Sequence, residues 1–125
     1  MAREPGWFPV YLEAMALIDE AYRLRRACAD EHRGLAEQIR LAAIGMALNL
    51  GEHGRRPAHD DRSLLWHARV LCAECAEVLE LLRLRAPSPD MPERCAQRLA
   101  GISARLNALL EGVKRRHAQL ALDGR

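Results

Sequence analysis

Between Leu41 and Leu50 the chain reads LAAIGMALNL, a run without a charge and with one strongly polar side chain, Asn49. Its Ala, Leu and Met are helix formers, and a helix this apolar on every face has to be enclosed by other helices. The run passes into Gly51–Arg56 (GEHGRR), a basic stretch punctuated by glycine. The remainder of the chain can be read as the wrapping around this one helix.

The flanking segments carry the spacing that such wrapping needs. After an irregular lead with Trp7 and Phe8, Val10, Ala14, Leu17, Ala21, Leu24 and Cys28 recur at steps of four and three, a heptad seam. The central helix repeats the pattern with Leu35, Ile39, Ala42, Met46 and Asn49, while Leu41, Ile44 and Leu48 lie off that stripe. Gly54 fits the stop position after a helix, and Pro57 cannot continue one. A third helix opens near Asp60 or Asp61, residues suited to a cap and to the helix dipole. Its seam is Leu64, Ala68, Leu71, Cys75, Val78 and Leu82, widened by Leu65, Cys72 and Leu79. The proline-rich APSPDMP turn leads to a fourth helix with Cys95, Leu99, Ile102, Leu106, Leu109 and Val113, fraying after His117.

The spacing therefore predicts helices at about 10–29, 35–53, 60–85 and 92–117 in a single domain spanning 1–125. Short turns make this an all-α, up-down-up-down antiparallel four-helix bundle. A chain of 125 residues is long enough for a real core. Helix 3 has more apolar surface than three partner helices need, and Trp7, Phe8, Trp66 and Val70 are candidate residues of an interface between subunits. Asn49 is expected to fix the register of the bundle or to bond a neighbouring helix.

No basic start followed by an apolar run opens the chain, and the longest uncharged run is about half of the roughly 20 residues that a membrane span needs. A cytoplasmic protein with four reduced thiols is expected. Net charge is +2, so nucleic-acid binding is neither demanded nor excluded. Alternating helices bring the helix 2–3 turn and the end of helix 4 to one pole. That pole collects His53, Arg55, Arg56, His59 and Arg62 with Lys114, Arg115, Arg116 and His117. Such a patch can hold phosphates of RNA or DNA, with Trp66 near enough to stack a base. The plainer reading is that cations at helix C-termini answer the dipoles and that Trp66 packs.

Cys72-Ala-Glu-Cys75 is a C-x-x-C string, but it lies mid-helix without the N-terminal position that activates redox thiols. A thiol-ligated metal site would also need Cys28 and Cys95 to converge on it. Glu-x-x-His pairs, phosphate-binding loops, dinucleotide fingerprints and HExxH are absent from the sequence, so neither an enzyme nor a small-molecule substrate or cofactor is expected.

The string QIR-AA at Gln38–Ala43, followed by Asn49, Glu52, Gly54 and Arg55, resembles the signature of the bacterial four helix bundle protein family. Its best-known members are encoded in intervening sequences of 23S ribosomal RNA genes. A related branch comprises the accessory variability determinant proteins of diversity-generating retroelements. Tyr11, Ala14, Tyr22, Leu24, Leu35, Ala68 and Glu74 fit further positions, whereas Val70-Leu71 stands for the usual Gly-Ser pair and Ala47 for the usual proline. The resemblance implies a four-helix bundle that assembles into a homo-oligomeric ring, a pentamer, without established activity. In the strongly basic retroelement branch it implies binding to nucleic acid and a reverse transcriptase. The expected function is thus a non-catalytic oligomer that binds nucleic acid or a nucleoprotein partner through its basic pole. The alternatives are a purely structural or protein-interaction oligomer and, third, the thiol-ligated metal site.

Overall fold

A computed structural model describes residues 6–56, 62–85 and 90–124. Four helices follow one another: α1 (Trp7–Ala27), α2 (Arg33–Arg55), α3 (Ser63–Arg85) and α4 (Asp90–Asp123), with a single 3₁₀ turn, Asp30–His32, between the first two. Contacts run α1–α2, α2–α3, α3–α4 and α4–α1, so the helices occupy the corners of a square. Cross-helix ion pairs fix α1–α2 and α3–α4 as antiparallel. Arg25 near the end of α1 meets Glu37 near the start of α2 at 3.1 Å. Arg83 near the end of α3 likewise meets Glu93 at the start of α4 at 2.9 Å. The fold is the four-helix bundle that the spacing predicts. Among the described residues no helix is long and apolar enough to cross a membrane.

The seams of α1 and α4 lie as their spacing implies. Val10, Ala14, Leu17, Ala21 and Leu24 are buried, as are Cys95, Leu99, Ile102, Leu106 and Val113; Cys28 and Leu109 are half-buried. The seams of the two central helices are rotated by one residue from the expected stripes. In α3 the wider stripe, Leu65, Cys72 and Leu79, joins Ala68, Cys75 and Leu82 inside, and Leu64, Leu71 and Val78 move to the half-buried margin. In α2, Ala36, Ala43, Ala47 and Leu50 enter the core with Ile39 and Met46, while Leu35, Ala42 and Asn49 face the margin. Asn49 does not bridge helices through the bond its amide makes: Nδ2 donates to the carbonyl of Gly45 one turn back, at 2.9 Å.

Three further boundaries differ from the reading of the sequence. Trp7 and Phe8 are not an irregular lead but the first residues of α1, where Pro9 is tolerated because first-turn N–H groups have no intrahelical partner. The α4 helix runs on past His117 to Asp123. Gly54 lies inside α2 and does not end it. Its lack of a side chain serves packing: a Cβ there would stand 2.2 Å from Cζ2 of Trp7, whose ring covers the end of α2. Trp7, Phe8 and Tyr11 form one aromatic cluster over this contact, with ring centroids 5.5–6.2 Å apart. Asp60, Asp61 and the 86–89 turn lie outside the described residues.

A larger correction concerns the outer side of α2. The helix is not enclosed all round. Leu41 is 56% and Leu48 68% exposed, pointing away from the buried Ile39, Ala43, Met46 and Leu50.

Gly54→Ala should lower the unfolding free energy by about 1–3 kcal/mol, because the rigid indole ring cannot yield as a flexible chain can. Gly45→Ala is the control. Its Cβ would meet only the side chain of Leu71, with Cδ1 nearest at 2.8 Å. That side-chain tip can move, so the gain in helix propensity of roughly 1 kcal/mol keeps this variant near or above the parent. Urea unfolding of both variants reads the difference; equal stabilities would mean that Trp7 does not rest on Gly54.

Candidate nucleic-acid interface

Alternation of the helices places the N-terminus of α1, the end of α2, the start of α3 and the end of α4 at one pole. The cations expected there are present but do not form one patch. Arg55 and Arg56 end α2, which is diagonal to α4 in the square. Both are engaged by one carboxylate: Arg55 Nη2 donates to Glu52 at 2.5 Å, and Arg56 lies 3.9 Å from it. The bond from Arg55, reinforced by the charges of both arginines, holds the Glu52 carboxyl below the usual carboxylate range. His53, also counted toward the patch, is buried and faces inward. His59 lies outside the described residues.

On the other side of the pole the structure does assemble a site. Arg62, Ser63 and Trp66 from the start of α3 and Leu110, Glu111 and Lys114 from α4 line one open cleft of about 450 Å³. Trp66 is 58% exposed, so the packing role expected for it holds for less than half of its surface. Among the described residues, neither Arg62 nor Lys114 has a carboxylate within salt-bridge distance. Among the described residues the cleft thus offers two cations and a flat ring against the carboxylate of Glu111. Cations of this kind attract phosphates, and a ring stacks on any base.

The length of α4 changes the meaning of its basic run. Val113 is its last buried residue, and every residue from Lys114 to Asp123 is exposed. This arm overruns the bundle by roughly 15 Å at the helical rise of 1.5 Å per residue. Lys114, Arg115, Arg116 and His117 sit at its root, more than a turn before the helix ends. The helix dipole acts within the last turn, where α4 has no basic residue. Dipole compensation therefore explains Arg55 in the last turn of α2 but not the cations of α4. Glu111 is legible from the sequence as an acidic residue at this pole, whereas Leu110 has no signal there as a lining residue; only the α3–α4 pairing identifies it.

The candidate interface residues are not brought together either. Trp7 and Phe8 belong to α1, and Trp7 is used within the chain, its Nε1 buried and without a hydrogen-bond partner among the described residues. Trp66 and Val70 lie on the outer side of α3, diagonal to α1, with Val70 41% exposed. Leu12, Met15, Leu41 and Leu48 are exposed apolar residues that the sequence did not single out for this role.

Three of the four thiols are buried, and Cys28 is half-buried. Cys72 Sγ faces the carbonyl of Leu99 on α4 at 3.8 Å, and Cys75 Sγ that of Ile39 on α2 at 3.5 Å, so the pair of the C-x-x-C string diverges. Burial pushes Cys75 up to about 12 and Cys95 up to about 11, and raises Cys72 and Cys28 as well. Thiolate, the form that ligates metal or attacks disulfides, is disfavoured at each. No group of three or more His, Cys, Asp or Glu residues converges among the described residues.

Of the four thiols, half-buried Cys28 should react first with a maleimide under native conditions, the others only on unfolding, as mass spectrometry would count. The raised values also set a pH dependence. The unfolded chain releases thiol protons from about pH 8.5, before the folded chain does. Stability from buried thiols is therefore complete below that pH and is lost as pH rises toward 11–12. Urea midpoints measured from pH 7 upward should fall, and less steeply in Cys75→Ala.

No protein-family model matches the chain, and no curated protein or solved structure matches it at a significant level.

Proposed function

We propose that this chain is a non-catalytic, self-associating helical bundle of the cytoplasm that binds nucleic acid, alone or within a nucleoprotein, through the α3–α4 side of its basic pole. The observation that carries this reading is the cleft in which Arg62 and Lys114 flank the exposed ring of Trp66. Arg115 and Arg116 extend its charge along the α4 arm, while Arg55 and Arg56 form a second, smaller cationic edge already shared with Glu52. A five-fold ring would rest on the family resemblance alone.

A second reading, an oligomer with protein partners only, is favoured by a different observation. Leu12, Met15, Leu41, Leu48, Trp66 and Val70 leave large apolar groups exposed on three of the helices, more than a solitary bundle requires.

Titrations with single-stranded RNA and with duplex DNA, at low and near-physiological salt, separate the two. Under the first reading the affinity falls steeply with salt. In the Arg62→Gln/Lys114→Gln/Arg115→Gln variant the log–log slope becomes shallower by about one for each phosphate that the missing cations no longer neutralise. Absence of binding at either salt would remove the nucleic-acid reading and leave the second.

A further inference from the structure

The outer face of α2 has an order that points to its occupant. Glu37, Leu41, Ile44, Leu48, Glu52 and Arg55 follow at helical spacing along the side opposite the core. Leu41 and Leu48 are the most exposed apolar residues of this helix, and Ile44 between them is half-buried. Beside the stripe lies an open groove of about 310 Å³ shared with α3 and lined by Gln38, Leu41, Ala42, Leu71, Glu74 and Val78. The stripe is apolar in the middle and carries paired charges at each end: Glu37, held by Arg40 and Arg25, at its N-terminal end, and Arg55, paired with Glu52, at its C-terminal end. No lysine or arginine lies between Arg40 and Arg55 on α2, so nucleic acid finds no counter-charge along its length.

We propose that a second copy of this chain covers the stripe with its own α2, running antiparallel. Reversal sets Glu37 of each copy opposite Arg55 of the other in the register that sets Ile44 against Leu48. Both end pairs are then of opposite charge. A parallel copy would instead place Glu37 on Glu37 and Arg55 on Arg55. Within one chain Glu37 already bonds Arg40 and Arg55 bonds Glu52, so the cross pairs prolong alternating rows of charge. The contact is isologous, with a two-fold axis level with Met46. It rests on the self-association proposed above and specifies the surface that produces it. A two-fold contact generates assemblies of even order: a dimer, or two rings joined through α2. A ring alone needs a contact between two unlike faces instead.

The test combines mass and cross-linking on the full chain. Light scattering at micromolar concentration should give an even multiple of 14.1 kDa. Leu48→Glu should reduce that mass while leaving the helical circular dichroism unchanged, since this side chain is mostly exposed within the chain. In a Cys28→Ser background, where the remaining native thiols are all buried, Ile44→Cys chains mixed with Leu48→Cys chains should give a mixed disulfide under mild oxidation that the background chain alone does not form. Glu37→Arg and Arg55→Glu should each weaken the assembly and together restore it. A monomer would overturn self-association itself. An assembly of odd order, one indifferent to Leu48→Glu or one without the mixed disulfide would overturn the α2 contact while leaving self-association standing.

Discussion

Short side chains on the facing sides of α1 and α2 set the frame on which the rest depends. Ala14 and Ala21 on α1 and Ala36, Ala43 and Ala47 on α2 are buried, and the larger Leu17, Ile39, Met46 and Leu50 fill the spaces among them. Alanine lets two backbones approach, so the volume of the core is supplied by few large residues and the helices keep good intrinsic propensity. The same economy ends at the pole, where Trp7 requires Gly54 to carry no side chain. The α1–α2 and α2–α3 contacts are accordingly extensive, and those of α4 less so.

The fourth helix is attached in a different manner. Its seam of Cys95, Leu99, Ile102, Leu106 and Val113 is buried, but polar bonds across the margins complete the attachment. Arg98 donates to both Glu13 and Glu20 of α1, reaching Glu13 at 2.6 Å. Arg69 of α3 donates to Asn107 at 2.8 Å. These side chains are partly exposed, so each pair adds modest stability, on the order of 1 kcal/mol or less, and mainly fixes how α4 lies. A helix held this way can outrun its partners, and α4 does, carrying its cations beyond the core.

These two modes of packing explain what the sequence disclosed. The seams of α1 and α4 were legible because their apolar residues fill one stripe at steps of three and four. In α2 and α3 they fill two adjacent stripes. In α2, spacing alone fits Leu35–Ala42–Asn49 as well as Ala36–Ala43–Leu50 around Ile39 and Met46, and only the close approach of the backbones puts the second stripe inside. The end of α4 was legible in principle: Ala118, Gln119, Leu120, Ala121 and Leu122 are helix-compatible residues up to Gly124, whose N–H bonds the carbonyl of Leu120. The apolar seam ends at Val113, which ends burial but not the helix. For the site, charge and alternation located the pole. They could not show that Arg55 and Arg56 lie across the square from Lys114, or that Arg62 and Trp66 share its cleft, because those facts depend on helix rotation.

If the chain self-associates as proposed, the geometry of the contact decides how the cationic clefts add up. A partner on the outer side of α2 leaves the α3–α4 cleft open, since α2 and α4 occupy opposite corners. A two-fold copy reverses the bundle and carries its own cleft to the far end of the pair. The two clefts then act as separate sites, and the field at each is that of one chain. A ring of chains with their poles aligned would instead gather every cleft at one end, where a phosphate backbone could bridge neighbours and each added chain would raise the local potential. The salt dependence of binding would be that of a single cleft in the first arrangement and of several in the second. Under the two proposals, the symmetry of the protein contact and the strength of nucleic-acid binding are therefore one question, decided by which way the exposed side of α2 is covered.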